Sequence, residues 1–314
     1  MDNKIAGFVG LGLMGKPMAN NLLKSGWDLM LWNRSGGAVA DLERLGGRRV
    51  AGVAGMRDLP VIVFMLPDLS FIEEAAAPLL ASWRASPPLA GTTLVVMSSV
   101  SPSRVQEFGR EVQNASHGHA AVVDAPVSGG TAGAVEGTLA IMAGGATEDF
   151  RRLEPLFRAI GTTVRHLGPL GAGSLAKACN QLIVGTTTAA LAEAAELAER
   201  SGLDSAALFE VLAGGLAGSQ VLELVGPRLL KKDYRPTGPA KFMLKDLTFV
   251  LESAGSAGAA VPMAAAGLEL YAELTQRGLG DHDIAVVREV ISQLSGAHAN
   301  SAMENSAMEG TVSA

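Results

Sequence analysis

The sequence predicts an α/β domain with a mostly parallel, doubly wound sheet, followed by an all-α domain joined to it by a long interdomain helix. Three observations carry that prediction. Short apolar runs alternate with helical patterns through the first half, as strands and crossover helices do. The first such run meets Gly10-Leu-Gly12-Leu-Met-Gly15 without a spacer, and a helical pattern follows at once. Beyond about residue 170 the strand pattern stops, and the chain reads as helix to about Gly296.

The first strand is Ile5-Ala-Gly-Phe-Val9. In the turn after it, Gly10 permits the tight bend, Gly12 lets backbone approach a pyrophosphate and Gly15 lets helix and strand pack closely. Met14, Met18 and Leu22 mark the apolar face of the next helix, whose N-terminus offers unpaired N–H groups to phosphates. Gly10, Leu11, Gly12, Leu13, Met14 and Gly15 are therefore candidates for binding a dinucleotide cofactor. The second strand, residues 27–32, ends in Asn33-Arg34-Ser35. An NAD-selective site places an acidic residue about 20 positions beyond the glycines, and none stands here. Arg34 suits a 2′-phosphate and Ser35 adds a hydroxyl, which favours NADP over NAD. The alternative is an Arg34 stacked on adenine or turned to solvent, with both cofactors used.

Residues 50–54 and 61–66 read as the next strands. The latter closes at Leu66-Pro67, a strand's carboxyl end, where ligands of doubly wound sheets bind. A strand at 93–97 precedes Ser98 and Ser99, which either touch the nicotinamide side or are ordinary turn serines. Ser101 then caps a helix with Pro102 at its first position. The strand ending in Val122-Val123-Asp124 breaks into Val127-Ser128-Gly129-Gly130-Thr131-Ala132-Gly133-Ala134. That segment is either a concavity of backbone N–H groups with a hydroxyl, fitted to a carboxylate, or a flexible loop. Runs at 139–143 and 163–167 complete the sheet.

Gly171-Ala-Gly-Ser-Leu-Ala-Lys177-Ala-Cys-Asn180-Gln181 opens the long helix, which runs to about Arg200. With about 3.6 residues per turn, Lys177, Asn180 and Gln181 share one face. The lysine either lines a cleft or lies on the surface with its stem along the helix. Cys179 falls on a different face and reads as core packing. Further helices are expected at 204–213, 220–232, 242–255, 262–278 and 282–294, with Lys245-Asp246 in the middle of the third. The predicted boundaries are a dinucleotide-binding domain at 1–169, a helical substrate and oligomerisation domain at 170–296, and a flexible tail at 297–314 that repeats Asn-Ser-Ala-Met-Glu.

Composition narrows the function. The 314 residues are 48% hydrophobic and 18% charged, which describes a well-buried globular protein. With 31 acidic and 25 basic residues the net charge is -6, so neither nucleic acid nor an anionic membrane surface is an expected partner. A small anionic substrate would need a local site. One cysteine excludes a disulfide framework, and His117-x-His119 has no carboxylate beside it, so no metal is expected. The chain shows no secretory leader pattern and no apolar stretch of about 18 residues, and a cytoplasmic protein is expected.

Taken together, the chain resembles the β-hydroxyacid dehydrogenase family over about residues 4–296. The resemblance lies in Phe8-Val-Gly-Leu-Gly-Leu-Met-Gly15, Asp124-Ala-Pro-Val-Ser-Gly-Gly130, Gly171-x-Gly173-x-x-x-Lys177 and Lys245-Asp246-Leu247. It implies a Rossmann domain, a helical second domain and a homodimer or homotetramer formed through that second domain. It also implies that Ser128, Gly129 and Gly130 hold a substrate carboxylate, that Lys177 is the general acid/base and that Lys245 lies near cofactor and substrate. Gln181 stands where many members have asparagine, Val96 where they have aspartate, and Gln220 where some branches carry an aromatic. Asn180-Gln181 with Gly214-Gly-Leu-Ala-Gly-Ser219 is more similar to the tartronate semialdehyde reductase branch, whose substrates are short polar hydroxy acids such as glycerate. In this reading Lys177 accepts the hydroxyl proton during oxidation and returns it during reduction, while Asn180 or Gln181 orients the hydroxyl or the amine. The alternatives are an imine reductase-like enzyme, which would be expected to lack the lysine, and a non-catalytic cofactor-binding module.

Overall fold

The computed structural model describes residues 4–296; the tail expected at 297–314 lies outside the described residues. Two compact units divide between Asn180 and Gln181.

The first unit opens with β1 (Ile5–Val9), α1 (Gly15–Lys24), β2 (Asp28–Trp32), α2 (Gly37–Glu43) and β3 (Arg48–Arg49). It continues through β4 (Val61–Phe64), α3 (Leu69–Ala85), β5 (Thr92–Val96), α4 (Pro102–Ala115) and β6 (Ala120–Asp124). β7 (Val127–Ser128), α5 (Gly130–Glu136), β8 (Leu139–Gly144), α6 (Thr147–Arg158) and β9 (Gly161–Gly168) complete it. The sheet order is β3-β2-β1-β4-β5-β6-β8-β7, with β9 on β8. All pairings from β3 to β6 are parallel, which is the Rossmann order. β8 turns antiparallel to β6 and β7.

Alternation along each strand feeds two cores. Phe8, Val63 and Val95 join one with Met18, Leu22 and Phe157; Val9, Phe64 and Val96 join the other with Ile72, Trp83 and Phe108. Val96, where the family has aspartate, is thus an ordinary core residue here. Because β1, β2, β4, β5 and β6 run the same way, their carboxyl ends share one edge, and the residues that follow them are neighbours.

α7 (Ala172–Arg200) begins in the first unit and continues into the second. The second unit adds α8 (Ser205–Ala213), α9 (Gln220–Lys231), α10 (Lys241–Ala257), α11 (Pro262–Gln276) and α12 (287–296). Leu247, Ala264 and Tyr271 are buried where α10 meets α11, and the Tyr271 hydroxyl donates to Gly185 O at 3.1 Å. Arg288, fully buried, donates to Leu229 O at 2.6 Å, and Arg228 pairs with buried Asp283 at 3.1 Å.

The structure corrects several expectations. The strand expected at 50–54 is instead the two-residue edge strand β3 followed by a 3-10 turn, Val53–Met56. The turn points both Val53 and Met56 into the core beneath α3, which an extended chain would not do. The glycine-rich segment after Pro126 is a short strand and then helix α5, not a loop. Positive φ at Gly129 (130°) and Gly130 (62°) makes the bend, and Ala132, Ala134 and Glu136 are the good helix formers of the short helix beyond it. Cys179 is exposed rather than in the core, because Ala178 takes the buried face and Cys179 joins exposed Leu175 and Ile183 along one stripe. The last expected helix is broken into a 3-10 turn, Ile284–Val286, and α12, since the Asp283 carboxylate caps Ala285 N. Among the described residues no helix is long and apolar enough to cross a membrane, and no group of three His, Cys, Asp or Glu is placed to hold a metal ion.

Candidate active site

The three motif glycines have three separate causes. Gly10 has φ 97°, and a Cβ there would strike the Met65 carbonyl. A Cβ on Gly15 would strike the Gly10 carbonyl, so strand and helix meet only through glycine. Beyond its chain neighbours, Gly12 has no protein atom within 4 Å of where its Cβ would be. Its smallness serves nothing inside the fold, which fits a ligand drawn against the backbone. Leu13 beside it is exposed, Leu11 is buried and Met14 is the N-cap residue of α1. No side chain caps α1 and no acid sits in its first turn, leaving that end electropositive. This turn fits a dinucleotide's pyrophosphate.

At the end of β2, Asn33 braces the turn from behind. Its Oδ1 accepts from Leu11 N at 2.9 Å, while its Nδ2 donates to Ser35 O and Ser35 Oγ at 2.8 and 2.9 Å. Arg34 is exposed with its guanidinium 5.8 Å from the centre of the Phe71 ring. Phe71 is presented by α3, whose N-cap Asp68 accepts from Ser70 N at 2.9 Å. At the ends of β4 and β5, Leu66 N donates to the buried Ser98 hydroxyl at 3.0 Å, so Ser98 ties two strands together. Pro67 is exposed and Ser99 half-buried on the same edge. Gly10–Gly15, Asn33–Ser35, Leu66–Pro67 and Ser99 are all brought to that edge of the sheet.

Ser128 lies in β7 opposite Ala140 of β8, half-buried, and Gly129 and Gly130 follow at the start of α5. Lys177 and Asn180 are half-buried on α7. Two turns before Asn180, the helix start is held by Asp124 at the end of β6. Its Oδ1 accepts from Gly171 N at 2.9 Å and its Oδ2 from Ser174 N at 2.5 Å. Burial pushes the Asp124 carboxyl above the ordinary range, and the Gly171 and Ser174 hydrogen bonds partly oppose that.

In the second unit, the Gln181 amide donates to Asp246 Oδ2 at 2.7 Å. Lys245 Nζ lies 5.5 and 5.6 Å from the ring centres of Phe242 and Phe249, one turn either side of it on α10, and 3.8 Å from Asp246 Oδ1. Ser219 caps α9 by accepting from Leu222 N at 3.1 Å.

Sequence reasoning missed Phe71, the tie from Ser98 to Leu66, Asp246 as the partner of Gln181, and Asp124 as the anchor of α7. Asp124 left a physical signal: an acid closing a wholly apolar run, in a place where a charge is costly without a partner.

Residues 5–168 match the family described as the NAD binding domain of 6-phosphogluconate dehydrogenase. Residues 171–306 match the family described as NAD-binding of NADP-dependent 3-hydroxyisobutyrate dehydrogenase. The chain is 38% identical over 267 residues to 2-hydroxy-3-oxopropionate reductase of Escherichia coli (strain K12), covering 84% of this chain and 89% of that protein. It is 33% identical over 300 residues to NAD-dependent L-serine dehydrogenase of Pseudomonas aeruginosa, covering 92% and 98%. Among solved structures it is similar to 3-hydroxyisobutyrate dehydrogenase from Salmonella typhimurium, with TM-score 0.81, 26% identity, and 92% of this chain and 100% of that one covered.

Proposed function

This chain belongs to the β-hydroxyacid dehydrogenase family, and from that premise we propose that it interconverts a short polar 3-hydroxy acid, glycerate-like, with its semialdehyde. It is an NAD(P)-dependent oxidoreductase acting on CH–OH donors. The observation that carries the proposal is Lys177 on a helix start anchored to the end of β6, in the unit that also holds the Ser128-Gly129-Gly130 bend. Asn180-Gln181, and the similarity to a reductase named for 2-hydroxy-3-oxopropionate, support the short polar substrate.

A bound nicotinamide supplies the hydride acceptor for oxidation and the donor for reduction. Neutral Lys177 takes the hydroxyl proton as the carbinol carbon loses its hydride, and protonated Lys177 gives that proton to the carbonyl oxygen in reverse. The Ser128 hydroxyl and the backbone N–H groups of Gly129 and Gly130 hold the carboxylate, and Asn180 orients the hydroxyl. Gln181 acts with Asp246, and Lys245 is assigned to substrate and cofactor on the family resemblance. Residues 1–169 serve as the cofactor domain and 170–296 as the substrate and oligomerisation domain.

The test is initial rates with NADP and NAD across glycerate, threonate, 3-hydroxyisobutyrate and their semialdehydes. Fastest turnover on the glycerate pair is expected. Tight cofactor binding with no turnover on the whole panel would overturn the proposal in favour of a binding module or an imine substrate.

NADP is the favoured cofactor, because β2 ends in Asn33-Arg34-Ser35 without an acid and the exposed Arg34 guanidinium suits a 2′-phosphate. Arg34→Leu is expected to lower kcat/KM for NADPH by about 10- to 100-fold while leaving NADH within about threefold. Equal losses with both cofactors would put Arg34 on their shared adenine instead. The protein is further proposed to form a homodimer or homotetramer through its helical domain, which leaves Leu197, Val211, Leu216 and Leu224 exposed in the single chain. Light scattering should report a mass of two or four chains; a stable monomer refutes this.

A further inference from the structure

Asp124 takes no part in the reaction as described so far, yet its side chain is wholly buried. A buried carboxylate is costly unless it is hydrogen-bonded. Both of its oxygens are committed to the start of α7, one to Gly171 N just before the helix at 2.9 Å and the other to Ser174 N in its first turn at 2.5 Å. A helix start leaves its N–H groups unpaired and carries partial positive charge, so one carboxylate satisfies two donors and meets the charge it prefers.

The packing around this contact leaves α7 no latitude. A Cβ on Gly144 would strike the Asp124 carboxylate and lie 2.7 Å from Gly173 N and 2.8 Å from Pro169 O. A Cβ on Gly173 would strike the Met142 carbonyl and lie 2.6 Å from Asp124 O and 3.0 Å from Gly144 N. Gly171, at φ 97°, is closed in by Gln106 Nε2 at 2.8 Å from its would-be Cβ. The helix start is therefore pressed backbone to backbone against the ends of β6 and β8. Lys177 lies three residues beyond Ser174, one turn along the same face. Four residues beyond Asp124 in its own segment is Ser128. One buried carboxylate thus joins the lysine helix to the segment assigned to the substrate carboxylate.

We propose that Asp124 is a positioning residue for catalysis: by holding the Gly171 and Ser174 N–H groups it sets the height and rotation of Lys177 with respect to Ser128 and Gly129. The proposal rests on Lys177 being the acid/base, and its test separates the two.

Asp124→Asn keeps the volume and one acceptor; Asp124→Ala removes both acceptors. Each is made alone and in a Lys177→Ala background, and kcat, KM, NADPH affinity by fluorescence and thermal unfolding are measured. In the wild-type background both are expected to lower kcat by about 10- to 100-fold, as a misplaced catalytic group does, with NADPH affinity kept. In the Lys177→Ala background the same changes should alter the residual kcat by less than about twofold, because effects transmitted through one group do not add. Equal losses in both backgrounds would reduce Asp124 to a support of the fold and overturn the proposal, as would an unchanged kcat in Asp124→Asn. Should Asp124→Ala not fold, the Asn variant decides alone. Full turnover in Lys177→Ala would overturn the acid/base reading itself, an outcome distinct from an impaired Lys177→Ala beside an unimpaired Asp124→Asn.

Discussion

Lys177→Ala is expected to lower turnover by about two to four orders of magnitude while NADPH binds nearly as in the wild type, because the lost group serves proton transfer and not the cofactor. The features assigned to the cofactor, Gly10–Gly15 and Asn33–Ser35, sit at the ends of β1 and β2 and do not involve α7. Lys177→Arg sharpens the test. A guanidinium keeps the charge but does not give up a proton at any working pH, so it cannot act as the base. Single-turnover rates in the oxidation direction should therefore leave Lys177→Arg near the alanine variant. Wild-type rates in Lys177→Arg would make the residue an electrostatic anchor and remove it from proton transfer.

Gly12→Val and Gly15→Ala should fail in opposite ways. A Cβ at Gly12 meets no atom within 4 Å beyond its chain neighbours, so the variant is expected to unfold at the wild-type temperature. Its cofactor affinity should nonetheless fall by at least about 100-fold, since the side chain occupies the space a pyrophosphate needs. At Gly15 a single methyl group collides with the Gly10 carbonyl, and α1 or β1 must move. That variant should lose several degrees of thermal stability, of the order seen when overpacking costs about 1–3 kcal/mol. Thermal unfolding and fluorescence titration of both proteins distinguish the cases. A Gly12→Val protein that binds NADPH normally would show that the cofactor does not approach this turn.

What was legible in the sequence was whatever has a local cause. The glycines of the first turn each answer one nearby constraint, and the strands buried on both faces announce themselves as unbroken apolar runs such as Val61–Phe64. β3 was not legible, because a two-residue edge strand paired on one side carries no pattern. The glycines after Pro126 left a carboxylate-binding concavity and a flexible loop both open, and neither reading included the short strand β7 or the helix α5 that begins at Gly130. Helical period put Cys179 off the Lys177 face but did not say which face meets solvent. Asp124 shows the limit most plainly. Its charge is visible at the end of β6, but its partners lie 47 and 50 residues away, and only the folded sheet edge brings them together.

The brace that Asn33 places behind the first turn has a kinetic meaning. A turn whose Leu11 amide is already tied to the end of β2 has little backbone freedom left to lose when a dinucleotide arrives. Association then resembles docking onto a finished surface more than the ordering of a loop, and the Leu11 amide should exchange slowly with deuterium before any cofactor is added. Replacing Asn33 with alanine would change no residue of the Gly10–Gly15 turn and still slow capture, since the time lost is the time the turn spends elsewhere.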